Sequence, residues 1–217
     1  MSGHLLLVHG WGFGAGVWHP LLRALPEVTA HALDLGFFAR GRLEIPPGKP
    51  FIAVGHSLGF LWLLDRLQEP DFARMCRGVI SINGFSRFAA SDDFTCGVPR
   101  RVLERMIRRL RIDPAEVLEA FQRQAGLEKR LPVPEGLDRE ALAAGLSWLA
   151  AWDRRVALAG WRGPLLAIAA GDDRVVTPEM TRALFGSQVI RWVPEGGHVL
   201  PLTRPEVCAA LVGSFVS

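Results

Sequence analysis

The stretch that decides the fold reads Phe51-Ile52-Ala53-Val54-Gly55-His56-Ser57-Leu58-Gly59. Its first four residues form an apolar run typical of a strand buried on both faces, and residues 60–67 have the spacing of a helix. A G-x-S-x-G motif in this context predicts a sharp strand-to-helix turn that exposes the hydroxyl of Ser57 in a strained conformation. Ser57 is therefore the candidate nucleophile, and the alternative is an ordinary serine in a strand–turn–helix unit.

The same pattern of strand and helix extends along the chain in both directions. Short apolar runs, most of them closed by turn residues, cover residues 5–8, 28–33, 51–54, 79–82, 165–169 and 189–193. Stretches with helical spacing lie between and after them, at residues 18–24, 58–67, 178–185 and 205–215. This alternation predicts an α/β fold with a mostly parallel sheet of about six strands and helices on both faces.

The alternation breaks between about residues 85 and 161, where no convincing strand is found. Helices are predicted at residues 100–111, 113–125 and 139–149, the last continuing towards Leu158, with a break at residues 132–134. We therefore expect residues 1–84 and 162–217 to form the core and residues 85–161 to form a helical cap. An insertion of this kind commonly forms a lid.

A serine hydroxyl is a weak nucleophile unless a base takes its proton, so a histidine held by a carboxylate should lie near Ser57. Of the six histidines, His198 is the best placed, because it follows the last predicted strand in a glycine-rich loop. The carboxylate should follow the strand at residues 165–169, where Asp172 and Asp173 stand together. We prefer Asp173, and Asp172 remains the alternative, since one of the two is expected to stabilise the turn.

An oxyanion forming on the substrate needs two N–H donors. The main-chain N–H of Leu58, directly after the candidate nucleophile, is one candidate. Trp11 is the other, in the loop that follows the first strand. We expect His9 to brace this loop and His56 to pack or hydrogen-bond locally.

Composition excludes several classes of protein. Hydrophobic residues make up 49% of the chain and charged residues 22%, which suits a folded domain. The three cysteines, Cys76, Cys96 and Cys208, have no CxxC spacing and favour a reducing compartment. No apolar run approaches the roughly 18 residues of a membrane span. The cysteines and the lack of a membrane span together lead us to expect a cytoplasmic protein. No metal-binding or phosphate-loop motif is present, so we expect that it needs no metal or other cofactor.

The positive charge is concentrated in one segment. Residues 100–130 contain nine basic and five acidic residues, so this segment carries +4 while the rest of the chain carries −1. On a helix from residue 100, one face would present Arg101, Arg105, Arg108 and Arg109. This face is either the solvated side of a lid helix or a docking site for an acidic carrier protein. DNA binding is disfavoured, because no recognition motif accompanies the charge.

These motifs resemble the α/β-hydrolase family over nearly the whole chain. The resemblance rests on His9-Gly10-Trp11-Gly12, Gly55-His56-Ser57-Leu58-Gly59, Asp173-Arg174-Val175-Val176 and Gly197-His198. It implies a nucleophile, an acid and a base in that family's order along the chain. Two features depart from the family. The antiparallel strands that commonly precede the His-Gly loop are missing, and Asp34-Leu35-Gly36-Phe37-Phe38-Ala39-Arg40-Gly41 replaces the usual Asp-x-Pro-Gly-x-Gly-x-Ser beside the substrate pocket.

Within this family, the chain is similar to the pimeloyl-[acyl-carrier protein] methyl ester esterases of biotin synthesis. The similarity lies in the Trp11 loop followed by Val17-Trp18, and in the segment from Gly145 through Asp153 and Arg155. It implies hydrolysis of a methyl ester on a pimeloyl chain, with release of methanol and the free acid. It also favours an acyl-carrier protein as the partner of the arginine face.

Two other functions remain open. The same three groups could hydrolyse free small esters or cleave C–C bonds. The chain could also be a non-catalytic binding protein with this fold, although an intact set of three groups argues against it.

Overall fold

A computed structural model describes residues 4–38, 41–45, 48–127, 131 and 136–216. Six strands form one sheet, and all five pairings between neighbouring strands are parallel. Their order across the sheet is β2-β1-β3-β4-β5-β6. The strands are β1 (His4–Val8), β2 (Thr29–Leu33), β3 (Phe51–His56), β4 (Cys76–Ile82), β5 (Leu165–Ala170) and β6 (Ile190–Val193). The sheet confirms the predicted fold class.

Ten α-helices connect or follow these strands within the described residues. They are α1 (His19–Arg23), α2 (Leu58–Arg66), α3 (Pro70–Met75), α4 (Arg100–Leu110), α5 (Pro114–Gln124), α6 (Arg139–Ala151), α7 (Arg155–Gly160), α8 (Pro178–Leu184), α9 (Leu200–Thr203) and α10 (Pro205–Val216). Short 3₁₀ helices cover Ala15–Trp18 and Ser187–Val189. None of the helices in the described ranges combines the length and apolarity that crossing a membrane requires.

Burial explains why the strands lack polar alternation. In β1, the residues from Leu5 to Val8 are fully buried, because the strand lies inside the sheet with packing on both faces. The parallel arrangement also places the carboxyl ends of all six strands at the same edge of the sheet. Loops that follow β1, β3, β4, β5 and β6 therefore meet there, although they are far apart in sequence.

Helices α4 to α7 lie between β4 and β5, in the segment where the sequence predicts a cap. Helix α4 packs on α6 and α5 through buried apolar side chains, including Leu103, Leu142 and Leu146. Asp113 caps α5 by accepting a hydrogen bond from the main-chain N–H of Glu116 at 2.9 Å. The predicted break at residues 132–134 lies outside the described residues.

The helix predicted at residues 139–158 is two helices. Helix α6 ends at Ala151 because the backbone of Trp152 is extended, and α7 begins three residues after Trp152, at Arg155. Asp153 occupies the break and accepts hydrogen bonds from Arg87 and Arg155. Two short helices, α3 and α9, carry no apolar periodicity long enough to predict them from the sequence.

The residues at this break tie α6 and α7 to the rest of the molecule. Arg154 forms an ion pair of 2.7 Å with Asp65 on α2, and Arg155 also contacts Asp93 at 2.6 Å. Hydrogen bonds from Arg155, and one from Arg87, hold the pKa of Asp153 well below its usual range despite its burial. Asp153 is therefore the centre of an ion-pair network rather than a single surface pair.

We expect Asp153→Asn to lower the melting temperature at pH 7 by on the order of 3 °C, because Arg87 loses its charged acceptor and Arg155 loses one of its two. The folded-state pKa of this carboxyl group is depressed. Its stabilising effect is therefore complete above about pH 4, the pKa of an unfolded aspartate, and is lost as the pH falls further. Thermal unfolding between pH 7 and pH 2.5 measures this dependence.

The control is Asp92→Asn, which changes an exposed carboxylate next to Asp93 that has no ion pair among the described residues. It should shift the melting temperature by no more than about 1 °C. A difference between wild type and Asp153→Asn that stays constant down to pH 2.5 would contradict the ion-pair assignment.

Candidate active site

Ser57 lies in a sharp turn between β3 and α2. Its φ is 54° and its ψ is −124°, a strained conformation that a residue with a side chain rarely adopts. The flanking glycines are required by close backbone contact. A Cβ atom at Gly55 would lie 2.4 Å from the main-chain nitrogen of Phe60, and one at Gly59 would lie 2.1 Å from the carbonyl oxygen of Val8. The motif therefore predicts this turn correctly, for a steric reason.

The structure brings Ser57, His198 and Asp173 together at the carboxyl edge of the sheet. Nε2 of His198 lies 2.9 Å from Oγ of Ser57, and Nδ1 of His198 lies 2.8 Å from Oδ2 of Asp173. All three residues are buried, with Ser57 5% exposed. A histidine that bridges a serine hydroxyl and a carboxylate can take the serine proton while the carboxylate stabilises its charged form.

The two adjacent aspartates have different contacts. Asp173 faces His198 through Oδ2, while its Oδ1 accepts hydrogen bonds from the main-chain N–H groups of Val175 and Val176 at 2.7 and 3.0 Å. Asp172 is exposed and accepts hydrogen bonds from the glycines that precede His198 instead. The contact with the histidine ring therefore belongs to Asp173, the preferred residue, and Asp172 holds the histidine loop.

The hydrogen bonds to Asp172 also affect its ionisation. Burial alone would raise the pKa of this carboxyl group, but hydrogen bonds from Gly197 and Gly196 outweigh it and lower the pKa below its ordinary value. The carboxylate is therefore ionised at neutral pH, and the loop that carries His198 is held by charge-assisted hydrogen bonds.

The loop after β1 packs directly on Ser57. A Cβ atom at Gly10 would lie 2.9 Å from Cβ of Ser57, so the backbone leading to Trp11 runs beside the candidate nucleophile. His9 braces this loop, as expected: it contacts the carbonyl of Gly10 at 2.9 Å and accepts a hydrogen bond from the N–H of Leu35 at 3.0 Å. The predicted donors, Trp11 and Leu58, therefore belong to two backbone segments that both adjoin Ser57.

His56 is fully buried beneath this loop. Its Nε2 donates to the carbonyl oxygen of His198 at 2.8 Å, and its ring centroid lies 5.1 Å from that of His198. Burial and the neighbouring His198 lower the pKa of His56 to about 3. His56 is therefore neutral and makes a local hydrogen bond, as predicted.

A small cavity of about 50 Å³ opens at Ser57. Its lining is mostly apolar and comes from both the core and helices α4, α5 and α6. It consists of Trp11, Ser57, Phe85, Phe88, Val98, Val102, Leu103, Met106, Phe121, Gln124, Leu146, Leu149 and Val175. The Trp11 indole is fixed there by a hydrogen bond of 2.8 Å to the carbonyl of Leu142 on α6. The sequence offered no signal for Phe121 or Gln124, because their place in the cavity at Ser57 depends on how the helices fold over the core.

The four arginines predicted to share a face are all exposed on α4. Arg105 and Arg109 line a groove of about 210 Å³ between α4 and α5. This groove shares Val102, Met106, Phe121 and Gln124 with the cavity at Ser57. Arg109 forms an ion pair with Glu116, whereas Arg101, Arg105 and Arg108 have no ion pair within the described part of the chain.

The loop that departs from the family pattern begins at Asp34. Burial would raise the pKa of Asp34, but its contact with the His9 ring and hydrogen bonds from the main-chain N–H groups of Gly36 and Ala15 lower the pKa to about 2. Asp34 therefore joins this loop to the loop after β1. Residues 39 and 40 of the departing segment lie outside the described residues.

The fold and this arrangement of serine, histidine and aspartate define a hydrolase-type site on an α/β sheet. Residues 5–211 match the Alpha/beta hydrolase family, and the chain belongs to that family.

Individual relatives are consistent with this membership. The chain is 29% identical to a pimeloyl-[acyl-carrier protein] methyl ester esterase from Stenotrophomonas maltophilia, over 98% of this chain and 92% of that protein. It is 27% identical to the protein of the same name from Yersinia pseudotuberculosis, over 97% of this chain and 92% of that protein. Among solved structures, it resembles an esterase from Exiguobacterium antarcticum with a TM-score of 0.84 at 15% identity, over 99% of this chain and 91% of that chain.

We expect Gly10→Ala to slow the reaction of Ser57 with a fluorophosphonate by at least about tenfold, because the added methyl group must push Ser57 or His56 aside. Gly16→Ala, in the 3₁₀ helix that follows this loop, is the control, since its Cβ would meet only the His19 ring, at 3.8 Å. Mass spectrometry of the intact protein follows the labelling. Equal labelling rates for the two variants would contradict the close packing of Gly10 on Ser57.

Proposed function

We propose that the protein is a serine carboxylesterase that uses Ser57, His198 and Asp173. The observation that carries the proposal is the His198 ring, which contacts the Ser57 hydroxyl and the Asp173 carboxylate at 2.9 and 2.8 Å. The apolar cavity at Ser57 supports it, because the acyl part of an ester can be bound there away from water. Esterase names among the relatives point to the same reaction.

In the proposed reaction, Oγ of Ser57 attacks the ester carbonyl while Nε2 of His198 takes the hydroxyl proton. Asp173 holds the ring and stabilises its charge. The N–H groups of Trp11 and Leu58 donate to the oxyanion, and each such donor lowers the barrier by about 3 kcal/mol. His198 then protonates the leaving alcohol, and an acyl-enzyme remains on Ser57. A water molecule, deprotonated by His198, attacks that acyl-enzyme and releases the acid.

The proposed substrate is the methyl ester of a pimeloyl chain on an acyl-carrier protein, in biotin synthesis. The names of the relatives support this choice. The groove between α4 and α5 supports it further, because it leads from the apolar cavity towards Arg105 and Arg109. An acidic carrier would be steered to arginines at the outer end of such a path. In this scheme residues 85–161 form the cap that covers Ser57.

The second candidate is a hydrolase of free small esters that uses the same three residues. The small volume of the cavity, about 50 Å³, favours it, because a short acyl group fits without any carrier. Comparison of a carrier-bound ester with a free ester separates the two candidates.

Ser57→Ala should lower kcat for a p-nitrophenyl ester by about 10⁴-fold or more, because the covalent route is lost. Asp173→Ala should lower kcat by about 10³- to 10⁴-fold, because His198 loses the group that orients its ring. Asp172→Ala is the matched control and should cost no more than about tenfold, since within the described residues Asp172 bonds to the glycines of the loop and not to the His198 ring. Wild-type activity in Ser57→Ala would end the esterase proposal. A larger loss in Asp172→Ala than in Asp173→Ala would reverse the roles of the aspartates.

The double variant Arg105→Glu with Arg108→Glu should lower kcat/KM for the carrier-bound methyl ester about tenfold at low salt, because it reverses charge where the carrier docks. The effect should shrink at 0.5 M salt, and hydrolysis of the free methyl ester should not change. Arg23→Glu with Arg77→Glu makes the same change of charge on exposed residues of α1 and β4 and should have no effect. Equal losses in the two double variants would contradict docking at α4.

A further inference from the structure

Asn83 lies directly after β4, at the same edge of the sheet as Ser57. The register pairs His56 with Ile82, and the N–H of Ser57 donates to the carbonyl of Ile82 at 3.1 Å. Asn83 is 2% exposed and has a φ of 45°, in the left-handed region. Asparagine tolerates this region better than most residues with side chains. The sequence predicted no role for Asn83, and the proposed reaction does not use it.

The Asn83 side chain is fully engaged by main-chain groups. Its Oδ1 accepts a hydrogen bond from the N–H of Ala170, at the end of β5, at 2.8 Å. Its Nδ2 donates to the carbonyls of Gly197 and His198, each at 2.9 Å. Because the Ala170 N–H can only donate, the amide oxygen must face it and the amide nitrogen must face the histidine loop.

Asn83 therefore joins the end of one central strand to the backbone of the candidate base. The carbonyl of His198 also accepts from His56 at 2.8 Å, and the N–H of His198 donates to the carbonyl of Ala125 at 3.0 Å. The main chain of His198 is thus held at both of its polar groups. Once it is fixed, the imidazole ring can move only by side-chain rotation, and the bonds to Ser57 and Asp173 oppose that rotation.

We propose that Asn83 is a positioning residue for the esterase reaction, holding the His198 backbone so that Nε2 faces the Ser57 hydroxyl. This inference rests on the proposed function. The required chemistry is that of a side-chain amide of asparagine's length, because one side chain must present an acceptor to Ala170 and donors to two carbonyls. Aspartate has the same shape but offers only acceptors when it is ionised, so it would repel both carbonyls.

Asn83→Asp and Asn83→Gly test the proposal. Glycine removes the side chain without straining a backbone at φ 45°. Asn83→Gly should lower kcat for a p-nitrophenyl ester at pH 8 at least about tenfold, and Asn83→Asp about 100-fold, with KM changed less than about threefold in both. Asn83 does not line the cavity at Ser57, so we expect KM to change little. A role in packing alone would leave Asn83→Asp close to wild type.

The pH profile gives a second readout. In the Asn83→Asp variant, the introduced carboxyl group can donate one hydrogen bond to the loop once it is protonated. The ratio of kcat for Asn83→Asp to kcat for wild type should therefore rise as the pH is lowered from about 8 to about 5.5. The same ratio for Asn83→Gly should stay flat, because glycine has no group that titrates.

Ser81→Ala is the matched control. Ser81 is buried near the end of the same strand and accepts a hydrogen bond from the N–H of Gly84, and among the described residues it makes no hydrogen bond to the histidine loop. It should lose stability without losing kcat. If Asn83→Asp fails to fold, Asn83→Gly decides alone. A kcat for Asn83→Gly within twofold of wild type overturns the inference.

Ser57→Ala and His198→Ala are assayed in parallel. If both are inactive while Asn83→Gly matches wild type, only the positioning role fails. If either retains wild-type activity, the proposed function itself fails.

Discussion

The steric constraint at the turn between β3 and α2 determines the rest of the site. Helix α2 begins so close to β1 and β3 that no side chain fits at Gly55 or Gly59, where a Cβ would lie within 2.4 Å of backbone atoms. The chain can make this turn only with Ser57 at φ 54°, which costs backbone strain. The strain is tolerated because buried strands and α2 fix the turn on both sides. As a result, the hydroxyl stands at the sheet edge where the other strand ends also meet.

The parallel sheet made most of this site predictable from sequence. When every strand runs in one direction, residues that follow β3, β5 and β6 must meet at one edge, whatever their separation in the chain. Ser57, Asp173 and His198 could therefore be grouped from their positions after apolar runs. The choice between Asp172 and Asp173 could be stated only as a preference. It depends on which carboxylate turns towards the ring and which receives the N–H groups of Gly196 and Gly197.

Contacts between α4–α7 and the core were not predictable in the same way. The periodicity of α5 marks its apolar face, but it does not show that Phe121 and Gln124 reach the cavity at Ser57. The bond from the Trp11 indole to Leu142 joins residues 131 positions apart, and neither residue carries a motif for it. The break at Asp153 was missed for a related reason, since the helical pattern continues through it while Arg87 and Arg155 hold Asp153 outside a helix.

The backbone of His198 connects the core with the end of α5. From the core, Asn83 and His56 donate to its carbonyl, and from the other side, the carbonyl of Ala125 beyond α5 accepts its N–H at 3.0 Å. A displacement of α5 away from this loop would stretch or break the bond to Ala125, at a net cost of about 1 kcal/mol. The bonds from Asn83 and His56 do not involve α5, so they keep the histidine in place while α5 moves. The His198 ring would therefore stay aligned with Ser57 during such a displacement.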